Sequence, residues 1–190
     1  MGQPKELLRF GTEPLLCRIA GALLEASSPV VVVRRAPDQE LPALPTGVDL
    51  ITDDRPGAGP LAAIATGLRH LATSAGFDAD DAAFVTACDS PFLRGADVRW
   101  LTQALASHDA LLPAPDGELQ PTCAVYRCRC LSTADALLEA GATAPRELLG
   151  HLDVRTLSTD ELRRHDPELR FLRNVNTPED YRRALADAAY

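Results

Sequence analysis

Four consecutive valines closed by an arginine, Val30–Arg34, constrain this chain more than any other stretch. A β-branched run with no polar alternation cannot be a strand with one wet face, so it requires cover above and below. Residues 48–52 (VDLIT) and 83–87 (AFVTA) read the same way, and residues 110–113 and 123–126 do so more weakly. Between these runs, residues 14–26, 61–72, 98–107 and 131–140 have helical spacing, and residues 178–189 close the chain as another helix. Strands alternating with helices predict a three-layer α/β fold around a largely parallel sheet. No internal repeat is visible. The proline-rich stretch at residues 36–45 is too short to divide the chain, so residues 1–190 read as a single domain.

In such a sheet each helix is the crossover between two parallel strands, yet the helix at 14–26 has no strand before it. The opening MGQPKELLRFG reads as the end of a loop begun earlier, with Gly2, Pro4 and Lys5 ahead of an amphipathic segment. The expectation is therefore that a strand and its phosphate-facing loop lie upstream of Met1.

Composition narrows the function. The net charge is −8, from 19 basic and 27 acidic residues, and no Lys/Arg stripe forms the footprint of a nucleic-acid binder. No apolar run approaches a membrane span, and no export signal opens the chain. Five cysteines fit a reducing compartment better than a disulfide framework, which points to the cytoplasm.

Three stretches carry chemical signals. In FVTACDSPFL, residues 84–93, Asp89 follows a buried strand, where ligands gather in open α/β sheets and a carboxylate can hold Mg²⁺ against phosphate. Asp89 reads equally well as the N-cap of a following helix. In TDDRPGAGPLAAIATGL, residues 52–68, Gly57 and Gly59 allow close backbone approach to a ligand, and the next helix presents free N–H groups. Ordinary turn chemistry explains that stretch better when it is taken alone. In NVNTPEDY, residues 174–181, Thr177 and Pro178 form a helix start; Asn174 and Asn176 are left over, on one side of an extended segment.

Taken in order, Met1-Gly2-Gln3-Pro4-Lys5, the Asp-x-x-Pro-Gly-x-Gly-Pro-Leu stretch at 53–61, Cys-Asp-Ser-Pro-Phe at 88–92, Gln120-Pro121 and Asn-Val-Asn-Thr-Pro at 174–178 resemble the molybdenum cofactor guanylyltransferase family. The resemblance implies a Rossmann-like nucleotidyltransferase fold and the transfer of GMP from Mg-GTP to the terminal phosphate of molybdopterin. It implies Mg²⁺ as cofactor and Asp89 as its ligand, with Lys5 facing the phosphates. Asp53 resembles the nucleotide-contacting carboxylate, with Asp54 as the alternative, and Gly59, Pro60 and Leu61 would shape the guanine pocket. Asn174, Asn176 and, more loosely, Gln120 would lie on the acceptor side. Implied protein partners are molybdenum-insertion proteins or chaperones of acceptor molybdoenzymes. Family members open with a strand and a glycine-rich loop, of which this chain carries only the closing Met-Gly and lysine. That absence predicts weakened transfer, and it leaves the strands around Val30 and Phe84 to meet directly or to face a gap. The alternatives are a cytidylyltransferase acting on the same pterin and a non-catalytic paralogue that binds the pterin or nucleotide.

Cys123, Cys128 and Cys130 lack a second pair at zinc spacing and read as reduced structural thiols. His70, His108, His151 and His165 share no metal-ligand spacing and read as surface or capping residues, and Trp100 reads as core.

Overall fold

Val30–Arg34 forms a strand, β3, in parallel register with β4 (Val48–Thr52), Val30 opposite Val48 and Arg34 opposite Thr52. The computed structural model describes residues 4–188, so Met1, Gly2 and Gln3 of the opening motif lie outside the described residues. A second sheet has the order β5 (Ala82–Thr86), β7 (Cys123–Arg127), β6 (Ala110–Ala114), β8 (Val154–Ser158). Here the arrangement is mixed rather than mostly parallel: β7 runs antiparallel to both β5 and β6, while β6 and β8 are parallel. The cause is the connection of residues 115–122, which returns β7 beside β6 without a crossover helix.

Side chains of the second sheet divide with period two. Ala110, Leu112, Ala124 and Tyr126 enter a core with α2 (Pro60–Ser74), α4 (Cys130–Glu139) and α5 (Pro145–Leu149). Leu111, Cys123 and Val125 face the opposite way, toward α1 (Leu15–Leu24), α3 (Gly95–Ala104) and α6 (Thr159–His165). Helices therefore cover both faces, as the continuous apolar strands require, and each buried leucine contributes roughly 2 kcal/mol. Strand β4 departs from this expectation: it is an edge strand, with Asp49 and Leu50 exposed and Asp49 Oδ2 3.2 Å from His70 Nε2.

A third apolar cluster joins the two ends of the chain. A short hairpin, β1 (Arg9–Phe10) with β2 (Glu13–Pro14), brings Phe10 edge-on to Phe92, with ring centroids 5.6 Å apart. Val175 and Ala184 of the C-terminal segment, the latter on α7 (Pro178–Ala188), complete the cluster.

Strands β3 and β5 face a gap and do not pair. The space between them is a cavity of about 660 Å³, lined by both strands and by α1, α2 and α3. Val31, Val32 and Val33 are accordingly only half-buried, although Leu111 and Leu112 in β6 are fully enclosed.

Asp97, in the first turn of α3, is fully buried. Its carboxylate accepts from the Arg94 backbone N–H at 2.9 Å and the Arg94 guanidinium at 2.8 and 3.0 Å, and it faces His165 Nε2 at 2.8 Å. The His165 ring stacks on Trp100 at 4.2 Å. His165 is thus a partner of a buried carboxylate, a role its position near a helix end did not disclose. The five cysteines are free thiols, and Cys123, Cys128 and Cys130 are buried.

Candidate functional site

The loop after β5 carries Asp89, and three distant segments converge on it. Lys5 Nζ donates to Asp89 Oδ2 at 2.9 Å and to Asn176 Oδ1 at 2.5 Å. Ser90 Oγ donates to Asn174 Oδ1 at 2.8 Å, and the Val175 backbone N–H donates to the Asp89 carbonyl at 2.8 Å. Asn174 and Asn176 therefore both face the Asp89 loop, as an extended 174–176 segment implies. Helix α3 begins only at Gly95, so Asp89 is not its N-cap.

Local chemistry explains how each piece is held. Thr177 caps α7 by accepting from the Asp180 N–H at 3.1 Å, while Asp180 accepts from the Thr177 N–H at 2.9 Å. Arg18 Nε donates to the Pro91 carbonyl at 2.6 Å, tying α1 to the Asp89 loop. Phe92 is capped on its face by the Arg170 guanidinium, 4.6 Å from the ring centroid. Burial, together with the charges of Asp89 and Glu6, pushes the Cys88 thiol up to about 11. Cys88 is therefore a neutral thiol at pH 7 and a poor nucleophile.

Lys5 and Asp89 retain 33% and 15% of their side-chain exposure. A pair so open to water adds at most about 1 kcal/mol to stability. What it offers is chemical: an ammonium and a carboxylate, both partly exposed, at the carboxyl end of a strand.

The second candidate group follows β4. Asp53 Oδ1 accepts from the Arg55 N–H at 3.0 Å and from Thr66 Oγ1 at 3.3 Å, which fixes the loop. Asp54 is exposed and pairs with Arg69 at 2.6 Å. Arg69 also bonds Asp135, so Asp54 belongs to a surface network joining α2 and α4. Pro60 is the first residue of α2 and lines the cavity, while Leu61 is fully buried in the core. Gln120 donates from its amide nitrogen to the Glu118 carbonyl at 3.3 Å, with no hydrogen bond to Lys5, Asp89 or the asparagines among the described residues.

Two participants escaped the sequence reading. Ser90 sits inside the quoted motif, and its partnership with Asn174 across 84 residues has no local signature. Thr143 carries no sequence signal, yet its carbonyl accepts from Leu61 N–H at 3.1 Å and abuts Gly59. Gly59 has φ 83° and ψ 179°, a conformation open essentially to glycine alone. A Cβ there would lie 2.6 Å from the Thr143 oxygen. Gly59→Ala is expected to cost about 3 kcal/mol, lowering Tm by roughly 6–12 °C. Gly57→Ala, at φ 86° in open space, is expected to cost only about 1 kcal/mol. Thermal melts of the two variants decide; equal effects would mean that Thr143 does not hold the loop.

The family model of the MobA-like NTP transferase domain matches residues 1–156. A protein of Methanothermobacter thermautotrophicus named "probable molybdenum cofactor guanylyltransferase" is 32% identical over 189 residues, covering 96% of this chain and 91% of its own length. A protein of Mycolicibacterium paratuberculosis with the same name is 33% identical over 191 residues, covering 99% and 89%. The crystal structure of molybdopterin-guanine dinucleotide biosynthesis protein A from Archaeoglobus fulgidus superposes with a TM-score of 0.77 at 26% identity, covering 99% of this chain and 92% of that one.

Proposed function

We propose a reaction for this chain on one premise: the chain belongs to the MobA-like NTP transferase family and is a nucleotidyltransferase. The reaction is transfer of GMP from GTP to the terminal phosphate of molybdopterin, forming the guanine dinucleotide cofactor and pyrophosphate. Relatives named as guanylyltransferases along nearly the whole chain support it. The observation that carries it is the convergence of Lys5, Asp89 and Asn176 on one point at the end of β5.

Among the described residues no three His, Cys, Asp or Glu side chains cluster into a metal cage. That suits Mg²⁺, which binds through one or two carboxylates and completes its shell with phosphate oxygens and water. Asp89 would hold it. When bound, Mg²⁺ supplies charge neutralisation on the phosphates.

The chain's own residues then position the reactants. The Lys5 ammonium offers three donors and leaves Asp89 for a phosphate oxygen. Asn176 and Asn174 hold the acceptor phosphate in line with the α-phosphorus of GTP. A terminal phosphate is largely ionised at pH 7, so no general base is needed to activate its oxygen. The acceptor oxygen forms the new P–O bond, and the bond to pyrophosphate breaks with its electron pair leaving on the pyrophosphate oxygen. Asp53 and the 57–61 turn hold the nucleoside, and Gln120 borders the acceptor side. Five free cysteines support a reducing compartment, the cytoplasm.

The test is incubation with molybdopterin, Mg²⁺ and either GTP or CTP, following pyrophosphate release and product mass. GTP is expected to be preferred at least about 100-fold, the discrimination that paired polar groups on the base provide. Preference for CTP would make the chain a cytidylyltransferase. Binding of pterin without turnover of either nucleotide would make it a carrier.

A further inference from the structure

We infer that Ser90 is a positioning residue for the acceptor: its buried hydroxyl turns the Asn174 carboxamide so that the amide nitrogen is presented to the acceptor's phosphate. The inference rests on the reaction proposed above and adds to it a side chain other than the carboxylate, the lysine and the asparagines.

Three observations carry it. First, the Ser90 hydroxyl has one destination. Ser90 is 2% exposed, so leaving its proton without an acceptor is costly. Ser27, Thr73 and Thr102 each donate to the carbonyl four residues earlier. Ser90 instead donates to Asn174 Oδ1 at 2.8 Å, across 84 positions, and its hydroxyl makes no other hydrogen bond among the described residues. A proton that must go to this carboxamide fixes which end of it faces the serine. The oxygen is turned toward Ser90 and the nitrogen away from it.

Second, the same polarity is set at Asn176. An ammonium has donors only, so Lys5 takes Asn176 Oδ1, at 2.5 Å. Both asparagine oxygens are thus occupied by donors of the chain itself, and neither amide nitrogen makes a hydrogen bond among the described residues. Both asparagines are exposed. What the pair offers a ligand is therefore N–H alone, and an ionised phosphate presents acceptor oxygens alone. An Asn174 carboxamide turned the other way would set an oxygen against the phosphate and exchange attraction for repulsion.

Third, Ser90 is itself held in the Asp89 loop. The Asp89 carbonyl accepts from the Val175 N–H at 2.8 Å, the Ser90 carbonyl from the Leu93 N–H at 3.1 Å, and the Pro91 carbonyl from Arg18 Nε at 2.6 Å. Asn174 is tied to that loop twice, through the backbone of its neighbour Val175 and through its own side chain. The donor it presents and the Asp89 carboxylate thus share one rigid frame, which an in-line transfer between two phosphates requires.

The test takes inorganic phosphate as its probe, with affinity read by phosphorus NMR and contact read from the Asn174 side-chain amide resonances, assigned by their loss in Asn174→Ala. Phosphate is expected to shift those resonances in the parent. Ser90→Ala is expected to bind phosphate about tenfold more weakly, the worth of one hydrogen bond to a charged group. In the Asn174→Ala background the same substitution is expected to change nothing, because Ser90 acts through that amide. Asn174 resonances that phosphate leaves in place overturn the proposal, as does equal affinity in Ser90→Ala and the parent, or a Ser90→Ala loss that persists without Asn174. In the transfer assay Ser90→Ala is expected to raise KM for molybdopterin and lower kcat, while KM for GTP stays within about twofold of the parent. A defect confined to GTP overturns the proposal too. The phosphate titration reads no turnover, so a chain that passes it but transfers neither GMP nor CMP counts against the proposed reaction and not against the role of Ser90.

Discussion

Replacing Asp89 with alanine is expected to abolish metal-dependent nucleotidyl transfer while the chain stays folded. Among the described residues the carboxylate makes one side-chain hydrogen bond, to a lysine that is itself a third exposed, so little stability rests on it. The loop is held by other means: the Asp89 carbonyl accepts from Val175, Ser90 reaches Asn174, and Arg18 grips the Pro91 carbonyl. Charge at the reacting phosphates has no such substitute. The expected loss in kcat is about 10³-fold or more, as for other preorganised electrostatic groups, or about 4 kcal/mol of barrier. Asp89→Asn keeps a hydrogen-bond acceptor for Lys5 but not the charge, and should fail almost as badly. Pyrophosphate release, Mn²⁺ binding followed by electron paramagnetic resonance, and a Tm within about 2 °C of the parent together make the test. Unchanged turnover would remove Asp89 from the mechanism.

Asp97→Ala is expected to have the opposite profile, a large loss of stability without a direct effect on chemistry. Removing the carboxylate leaves the Arg94 backbone N–H and the His165 ring without their acceptor, while the Arg94 guanidinium, 62% exposed, turns to water. Leaving the buried donors without an acceptor costs about 2–3 kcal/mol, which for a chain of this size lowers Tm by roughly 4–12 °C. The pair also sets a pH dependence. Burial pushes the Asp97 carboxyl up, but hydrogen bonds from Arg94 and His165 and the charge of Arg94 outweigh it and hold the group below the usual carboxylate range. A carboxyl whose pKa falls on folding contributes its full stability above its unfolded value of about 3.9 and loses it as pH drops through the lower folded value. Tm measured against pH should therefore show a steeper acid limb in the parent than in Asp97→Ala. Parallel limbs would mean that the pair contributes nothing to acid stability.

How much of this was legible in the sequence follows from the range of the forces involved. Val30–Arg34 and Val48–Thr52 are strands to the residue, because β-branching is a local property. The exposure of Asp49 and Leu50 was not legible, since whether a strand lies at an edge depends on its neighbours. Strand β8 and helices α5 and α6 went unread: VRTLS alternates weakly, and α5 and α6 are only five and seven residues long. The reversed direction of β7 is set by loop geometry, which apolar spacing does not encode. In the candidate site, Lys5, Asp89, Asn174 and Asn176 were named from motifs and stand together in space, while Gln120 bonds Glu118 and none of them among the described residues. Thr143 was invisible, because what matters there is a carbonyl, which every residue carries.

The contact between Lys5 and Asn176 spans 171 positions, nearly the full length of the polypeptide. Contacts of such separation close last, after shorter loops have collapsed. The two segments that supply Lys5 and Asn176 therefore stand or fall as a unit: loosening either one is expected to release hydrogen-exchange protection in both, ahead of the second sheet, whose pairings do not depend on them.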